Sequence, residues 1–260
     1  MFISGHGSVK VLERTVSYIL IILAVCLWEL MSRSGIVSIA LFPPPSTVFF
    51  KLYLMVASGV LLQEYFTTLY RVLVGFLSGA ILGMVFGVLI AYSRIALRIL
   101  YPIIAMFSVM PTLALVPLLI IWIGLNDMLA ITAVFLCSFI PLAYNTVSGV
   151  RHIDPEVVDA AKTLGASRLE LLAKILLPQA LPSIFSALKL EAAMAWKTCF
   201  VTEFIALSSG LGRLMIEALN TLSVDEMIAL LLILALSSYG FVRFFEELEK
   251  SFLAKWGYRV

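Results

Sequence analysis

Charge is scarce in this chain: Asp, Glu, Lys and Arg make up 13% of its 260 residues, about half the share of a soluble domain. Hydrophobic residues reach 62% and mean hydropathy is +1.08, which excludes an ordinary soluble globule and points to a polytopic membrane protein. The net charge of +2 gives no sign of a nucleic-acid partner. Histidine is nearly missing, and His6 and His152 cannot build a zinc site between them. Cys26, Cys137 and Cys199 all fall inside apolar runs with no pairing or metal-binding pattern, and read as small buried hydrophobes. No G-x-x-x-x-G-K-[ST] or G-x-S-x-G occurs. Gly5-His6-Gly7 and Gly210-Leu211-Gly212 begin a dinucleotide fingerprint, but Lys10 and Met215 stand where the third glycine belongs. Nothing supports catalysis by this polypeptide, and no cofactor or metal is expected.

What is present is a series of long apolar runs, predicting an all-α membrane protein of about six spans. The first runs from Val16 to about Met31; no small-x-small cleavage site follows, so it reads as an uncleaved span. Pro43-Pro44-Pro45 then breaks the chain, and Ser46 is placed to cap a short interfacial helix through Phe49-Phe50 and Leu52. The second span, about Val72 to Tyr92, carries Gly75, Gly79, Gly83 and Gly87 at every fourth residue. Each glycine costs a helix roughly 1 kcal/mol, so four in register imply close approach of another helix. Whether that helix belongs to the same chain is left open by the pattern. The third span, Ile99 to Leu125, holds Pro102, Pro111 and Pro117 and is expected to bend near Met110-Pro111. The fourth covers about Met128 to Val147, the fifth begins after Pro182 and ends near Leu207, and the sixth covers about Glu226 to Phe245.

The fifth span contains Lys189, Glu191, Lys197 and Glu203. An ionisable group at the centre of a span costs at least about 2.5 kcal/mol, so each must face water, the bundle interior or a partner. Lys189 is close enough to one end to snorkel. Lys197 and Glu203 are candidates to line a path, with structural pairing as the alternative.

The only long polar interruption is Gly149–Pro182, with charges at Arg151, Asp154, Glu156, Asp159, Lys162, Arg168, Glu170 and Lys174. Asp154 is an N-cap before Pro155 at the first helical position, and Gly165 is placed to close that helix. Ser167 and Glu170 form a capping box for a second helix, and Pro178 is expected to stop it. Val157, Ala161 and Leu164 share one face of the first helix, with Ala160 and Gly165 nearby and Glu156, Asp159 and Lys162 opposite. A face so small and smooth reads as a docking element.

Asp159-Ala160-Ala161, three residues, Gly165, nine residues, then Ile175, Leu177 and Pro178 resemble the EAA loop of ATP-binding-cassette importer permeases, with Asp159 in place of the usual Glu. Further pieces are similar: Thr68-Leu69-Tyr70-Arg71 to a T-L-x-R opening, PTLALVPLLIIWIGL to a segment that lines the translocation path, Phe139 to Gly149 to F-x-P-x-x-x-N-T-x-x-G, and Gly210-Leu211-Gly212 to a G-L-G. The resemblance runs from about Pro43 to Ile216 and is strongest to permeases for nitrate, alkanesulfonates and taurine, whose relatives also carry vitamin precursors. It implies a type I bundle whose cytoplasmic coupling helix lies between spans four and five. It also implies a separate ATPase docked on residues 154–178 through Glu156, Asp159, Ala160, Ala161, Gly165, Ile175, Leu177 and Pro178. Two ATPase copies, a second permease copy and an external solute-binding protein would complete the importer. Pro111, Pro117, Lys197 and Glu203 are then the path candidates.

Lys and Arg distribution orients the chain. Lys10, Arg14, Arg94, Arg98, Arg151, Lys162, Arg168, Lys174, Arg243, Lys250, Lys255 and Arg259 fall on one side, against Arg33, Lys51 and Arg213 on the other. The excess marks the inside, placing the loop and both termini in the cytoplasm of a cell-membrane protein. The expected division is a tail and first span (1–31), an external or interfacial segment (32–69), a five-span core (70–250) holding the loop at 149–182, and a cytoplasmic tail (251–260). The main alternative is an ion-coupled secondary transporter using Lys197 and Glu203, although no repeat relates the two halves. An intramembrane acid–base site at Glu191 or Glu203 ranks last, because no second catalytic group is placed near either in sequence.

Overall fold

The computed structural model describes residues 5–255, and the side chains of these apart from 5–15, Tyr18 and Lys255. The expected cytoplasmic placement of Lys10, Arg14, Lys255 and Arg259 therefore falls outside what is described. Every element is helical: α1 (Gly5–Arg33), α2 (Pro45–Ala57), α3 (Val60–Tyr92), α4 (Arg94–Ser108), a 3-10 turn (Thr112–Leu115), α5 (Val116–Ile123), α6 (Asp127–Arg151), α7 (Pro155–Thr163), α8 (Arg168–Glu170), a π-turn (Leu171–Leu176), α9 (Leu177–Ala206), α10 (Leu211–Asn220) and α11 (Val224–Lys255).

Among the described residues, four helical stretches are long and apolar enough to cross a membrane: Val60–Tyr92, Asp127–Arg151, Arg168–Ala206 and Val224–Ala254. Arg94–Ser108 and Thr112–Ile123 make a fifth when taken together, meeting at 90°. With α1, 29 residues long and so about 44 Å, the six expected spans all have helices. Cys26 is exposed on α1 rather than buried; Cys137 and Cys199 are buried. The expected bend near Pro111 is a full corner. Pro111 precedes the 3-10 turn and Pro117 lies in the first turn of α5, so neither ring breaks an internal ladder.

The chain divides into two compact units. One comprises residues up to Leu61 with Met215–Leu232. Here Trp28 Nε1 donates to the Pro43 carbonyl at 3.1 Å, and Ser32 Oγ to that of Phe42. Ser46 does not cap α2: Pro44 holds the cap position and Pro45 starts the helix. Its N–H and hydroxyl donate instead to Glu29 at 3.1 and 2.9 Å, so a carboxylate from α1 takes up a free donor of α2's first turn. Lys51 pairs with Glu226 at 2.6 Å.

The second unit comprises Leu62–Leu214 with the chain from Ile233 onward. Its core is built by Val72, Phe76, Leu129, Val134, Leu142, Ala192, Trp196 and Phe245, among others. The glycine ridge meets a helix of the same chain. A Cβ on Gly75, Gly79 or Gly83 would lie 2.6–2.7 Å from the carbonyl oxygens of Ile131, Phe135 and Phe139, and one on Gly87 2.8 Å from that of Ala143. Both series advance by four, so α3 and α6 run parallel along this seam. Thr68 of α3 meets Glu203 of α9, and Gly149 of α6 meets Ser183 of α9, so α9 runs against both.

Two expectations about the fifth span are corrected. Pro178 does not stop the helix, and the span does not wait for Pro182, which lies inside α9. The π-turn carries the chain through: Leu177 N–H reaches back to the Leu172 carbonyl, and Pro178 falls in the first turn of the next α-segment. There its missing donor has no bond to lose, and the wider turn relieves the clash of its ring with the preceding carbonyl. The second span likewise starts at Val60 rather than Val72, placing Thr67–Arg71 within the helix.

Candidate functional site

The Gly149–Pro182 loop closes by the local bonds its sequence asks for. Asp154 Oδ1 accepts from Glu156 N at 2.9 Å, with Pro155 at the start of α7. At the other end Gly165 takes φ +84°. Its N–H donates to the Lys162 carbonyl and that of Ala166 to the Ala161 carbonyl, at 2.9 and 3.1 Å, the paired bonds of a Schellman motif. Ser167 and Glu170 exchange the two bonds of a capping box, at 3.3 and 3.1 Å. Lys174 pairs with Glu170 at 2.9 Å. Hydrogen bonds from Lys174 and then Ser167 hold the Glu170 carboxyl down at about 2.

The outward surface of this loop is apolar at Val157, 38% exposed, and at Leu164, 88% exposed. Glu156, Asp159, Ala160 and Gly165 are exposed beside them. Ala161, one turn beyond Val157 on the same side of α7, is buried where Val157 is exposed. Ile175 and Leu177 are half-buried and Pro178 is buried, anchoring the loop to the bundle.

At the opposite end of α9, Glu203 is 0% exposed. Its carboxylate accepts from Arg71 Nη1 at 2.8 Å, Thr68 Oγ1 at 2.9 Å and Gly212 N at 3.1 Å. Arg71, 1% exposed, also reaches Asp127 and the Ser209 carbonyl at 2.5 and 2.9 Å. Leu211 N donates to Thr68 Oγ1 at 2.9 Å, while Glu64 accepts from Gly210 N and pairs with Arg213 at 3.0 Å. Glycine is required on both sides of Leu211: a Cβ at Gly210, which sits at φ +97°, would strike the Glu203 carboxylate, and one at Gly212 the α9 backbone. The Thr68–Arg71 and Gly210–Gly212 motifs thus close on one carboxylate. Of the two roles open to Glu203, path-lining and pairing, the geometry is that of pairing, since no face of it is left for a solute. Sequence reasoning missed Glu64, Arg71 and Asp127 as its neighbours; an arginine inside an apolar helix was the available signal.

Lys197 is different. It is exposed, and among the described residues no carboxylate pairs with it. It lies on an outward stripe of α9 with Leu190, Met194 and Ile205, which are 61%, 40% and 53% exposed. Pro111 and Pro117 are also exposed. Lys189 pairs with Glu249 at 2.5 Å instead of snorkelling free. Glu191 is buried, with Cys137 Sγ at 3.9 Å.

These features define a multi-pass helical membrane protein with one capped, exposed loop and a path candidate on α9. The description "Binding-protein-dependent transport system inner membrane component" belongs to a family whose model matches residues 79–250. The putative aliphatic sulfonates transport permease protein of Bacillus subtilis (strain 168) is 30% identical over 232 residues, 89% of this chain and 84% of that one. The taurine transport system permease protein of Escherichia coli (strain K12) is 30% identical over 235 residues, 88% of this chain and 86% of that one. A solved chain of the MetNI methionine ABC transporter, in inward-facing conformations, superposes with a TM-score of 0.63 at 19% identity, covering 74% of this chain and 95% of that one. The chain belongs to the binding-protein-dependent transport system inner membrane component family, and is a permease subunit of an ABC importer with the type I fold.

Proposed function

We propose that this permease moves a small organic anion of the sulfonate class, taurine included, using an ATPase that docks on residues 154–178. The observation that carries the docking is the doubly capped loop with Leu164 88% exposed. Leu164 together with Val157 and Leu169, which are 38% and 65% exposed on an element capped at both ends, offers a preformed apolar surface for a partner's groove. Glu156, Asp159, Ala160 and Gly165 rim it. Ala161, Ile175, Leu177 and Pro178 serve the same contact from behind, by fixing the loop to the bundle. The sulfonate and taurine names of the relatives suit the lone exposed cation of α9, Lys197, which the solute meets on a path edged by Pro111 and Pro117.

In this reading two copies of the chain form the path, two ATPase copies sit beneath, and an external binding protein delivers the solute. Closure of the ATPase dimer draws the coupling loops together and rocks the bundles to the outward state; hydrolysis resets them. The loop and both termini lie in the cytoplasm, following the excess of positive residues there. The expected divisions at 31, 69 and 250 go with this topology. The chain transports and its partner hydrolyses ATP. The ion-coupled alternative loses its pair, because Glu203 is taken by Arg71.

The test is co-purification of the ATPase subunit with wild type, Leu164→Asp and Asp159→Ala. Leu164 makes little contact within the chain, so its variant should insert normally and lose the ATPase. Retention of the ATPase by Leu164→Asp would sink the docking assignment.

A further inference from the structure

A cavity of about 530 Å³ opens between the end of α3 and the α7–α8 loop. Its polar wall is Arg94, Lys162 and Arg168 with Tyr92, and its apolar wall includes Leu171 and Leu172. Lys162 is engaged by Asp159 at 2.8 Å. Arg94 and Arg168 have no carboxylate partner among the described residues. Arg168 is instead held over the Tyr92 ring at 4.9 Å, which fixes the plane of its guanidinium while leaving its donors free. Two unneutralised guanidiniums at one cavity are an anion site in search of its anion.

We infer that this cavity binds the phosphate headgroup of an anionic phospholipid in the leaflet that faces the coupling loop. A free phosphate would satisfy the arginines but not the leucine wall. Ala91 and Tyr92, where the apolar α3 ends, also line the cavity, which puts it at headgroup depth. A lipid meets both halves: its phosphate goes to Arg94 and Arg168, and its glycerol and first methylenes lie along Leu171 and Leu172. Basic pockets between spans on the cytoplasmic side are suited to such headgroups. Val158 and Lys162, one turn apart on α7, face the cavity, while Leu164 stands out from the loop. The lipid therefore braces the loop from behind without covering its exposed leucine. The side named here rests on the topology proposed above.

The test uses the assembled importer, permease with ATPase, and measures binding of a fluorescent phosphatidylglycerol in phosphatidylcholine nanodiscs. Each arginine offers the phosphate a direct charge-assisted contact, so Arg94→Gln and Arg168→Gln should each lose about tenfold and the double variant about a hundredfold. Arg98→Gln, exposed on α4 outside the cavity, should lose almost nothing. Equal loss in Arg98→Gln would reduce the effect to general surface charge and overturn the proposal. Full competition by inorganic phosphate would reassign the cavity to a soluble anion. Loss of the ATPase subunit from the double variant, with lipid binding intact, would reassign it to a protein contact. A failure of the topology shows separately: Leu164→Cys, in a Cys26→Ser background, would then react with an impermeant maleimide from outside intact cells.

Discussion

Glu203→Gln separates a structural carboxylate from a transporting one. The change keeps volume and leaves an oxygen to accept from Thr68 or Gly212, but it strips Arg71 of its buried counter-charge at 2.8 Å. Removing one partner of a buried pair costs about 3–5 kcal/mol. Asp127, whose side chain is 62% exposed, still holds the other arm of the guanidinium, so the loss belongs at about 3 kcal/mol, the lower end of that range. Arg71→Met leaves the carboxylate with neutral donors only and should cost a similar amount. In the double variant neither position leaves a buried charge unpaired, and the total should fall short of the sum of the singles by about 1–3 kcal/mol. Unfolding in graded denaturing detergent gives the cycle, and solute uptake in proteoliposomes gives function. Additive costs, or a Glu203→Gln protein that unfolds like wild type but does not transport, would refute the pairing argument and return the carboxylate to the path.

Four further outcomes follow from particular sites. Gly79→Ala should destabilise by about 1–3 kcal/mol in the same unfolding assay, because its Cβ would lie 2.6 Å from the Phe135 carbonyl. Gly240→Ala, with nothing within 4 Å, should be neutral or slightly stabilising. Lys197→Met should leave unfolding unchanged, since the side chain is exposed and unpaired, yet lower uptake of an anionic solute; unchanged uptake would remove it from the path. Glu170 titrates at about 2 against an ordinary 4.5. A depressed carboxyl stabilises fully above its unfolded value and loses that contribution as pH falls through its folded value. Protection of the amides across residues 167–176, taken relative to their intrinsic exchange rates at each pH, should therefore fall between about pH 4.5 and 2 in wild type, and be lower and pH-independent in Glu170→Gln.

Local chemistry was legible and pairing across the chain was not. Asp154, Gly165, Ser167 and Glu170 act within a few residues of themselves, so spacing alone determines their bonds. The glycine ridge announced a close neighbour, but nothing in its own period says which helix answers; that depends on the carbonyls of residues 131–143. Glu203 and Arg71 lie 132 positions apart, and a carboxylate in an apolar run reads the same whether it faces a solute or a guanidinium. Ser46 and Pro178 misled for different reasons. Pro44 holds the cap position that Ser46 was expected to fill, and Ser46 bonds to Glu29 of α1 instead. For Pro178 the backbone widened by one residue and let the proline begin a new segment.

That extra residue also sets an angle. Each residue of an α-helix turns the chain by about 100°, so the π-turn rotates everything beyond it by about that much relative to a regular helix through the same stretch. Arg168–Ala206 is one uninterrupted run of 39 residues, about 58 Å long. Its phase is chosen once, at Leu171–Leu176. Deleting a single residue there would let the backbone run straight. It would leave Glu203 on Arg71 and Lys197 facing outward, whereas forcing the present residues of that stretch into a regular helix would swing both round, at sites roughly 30–50 Å away.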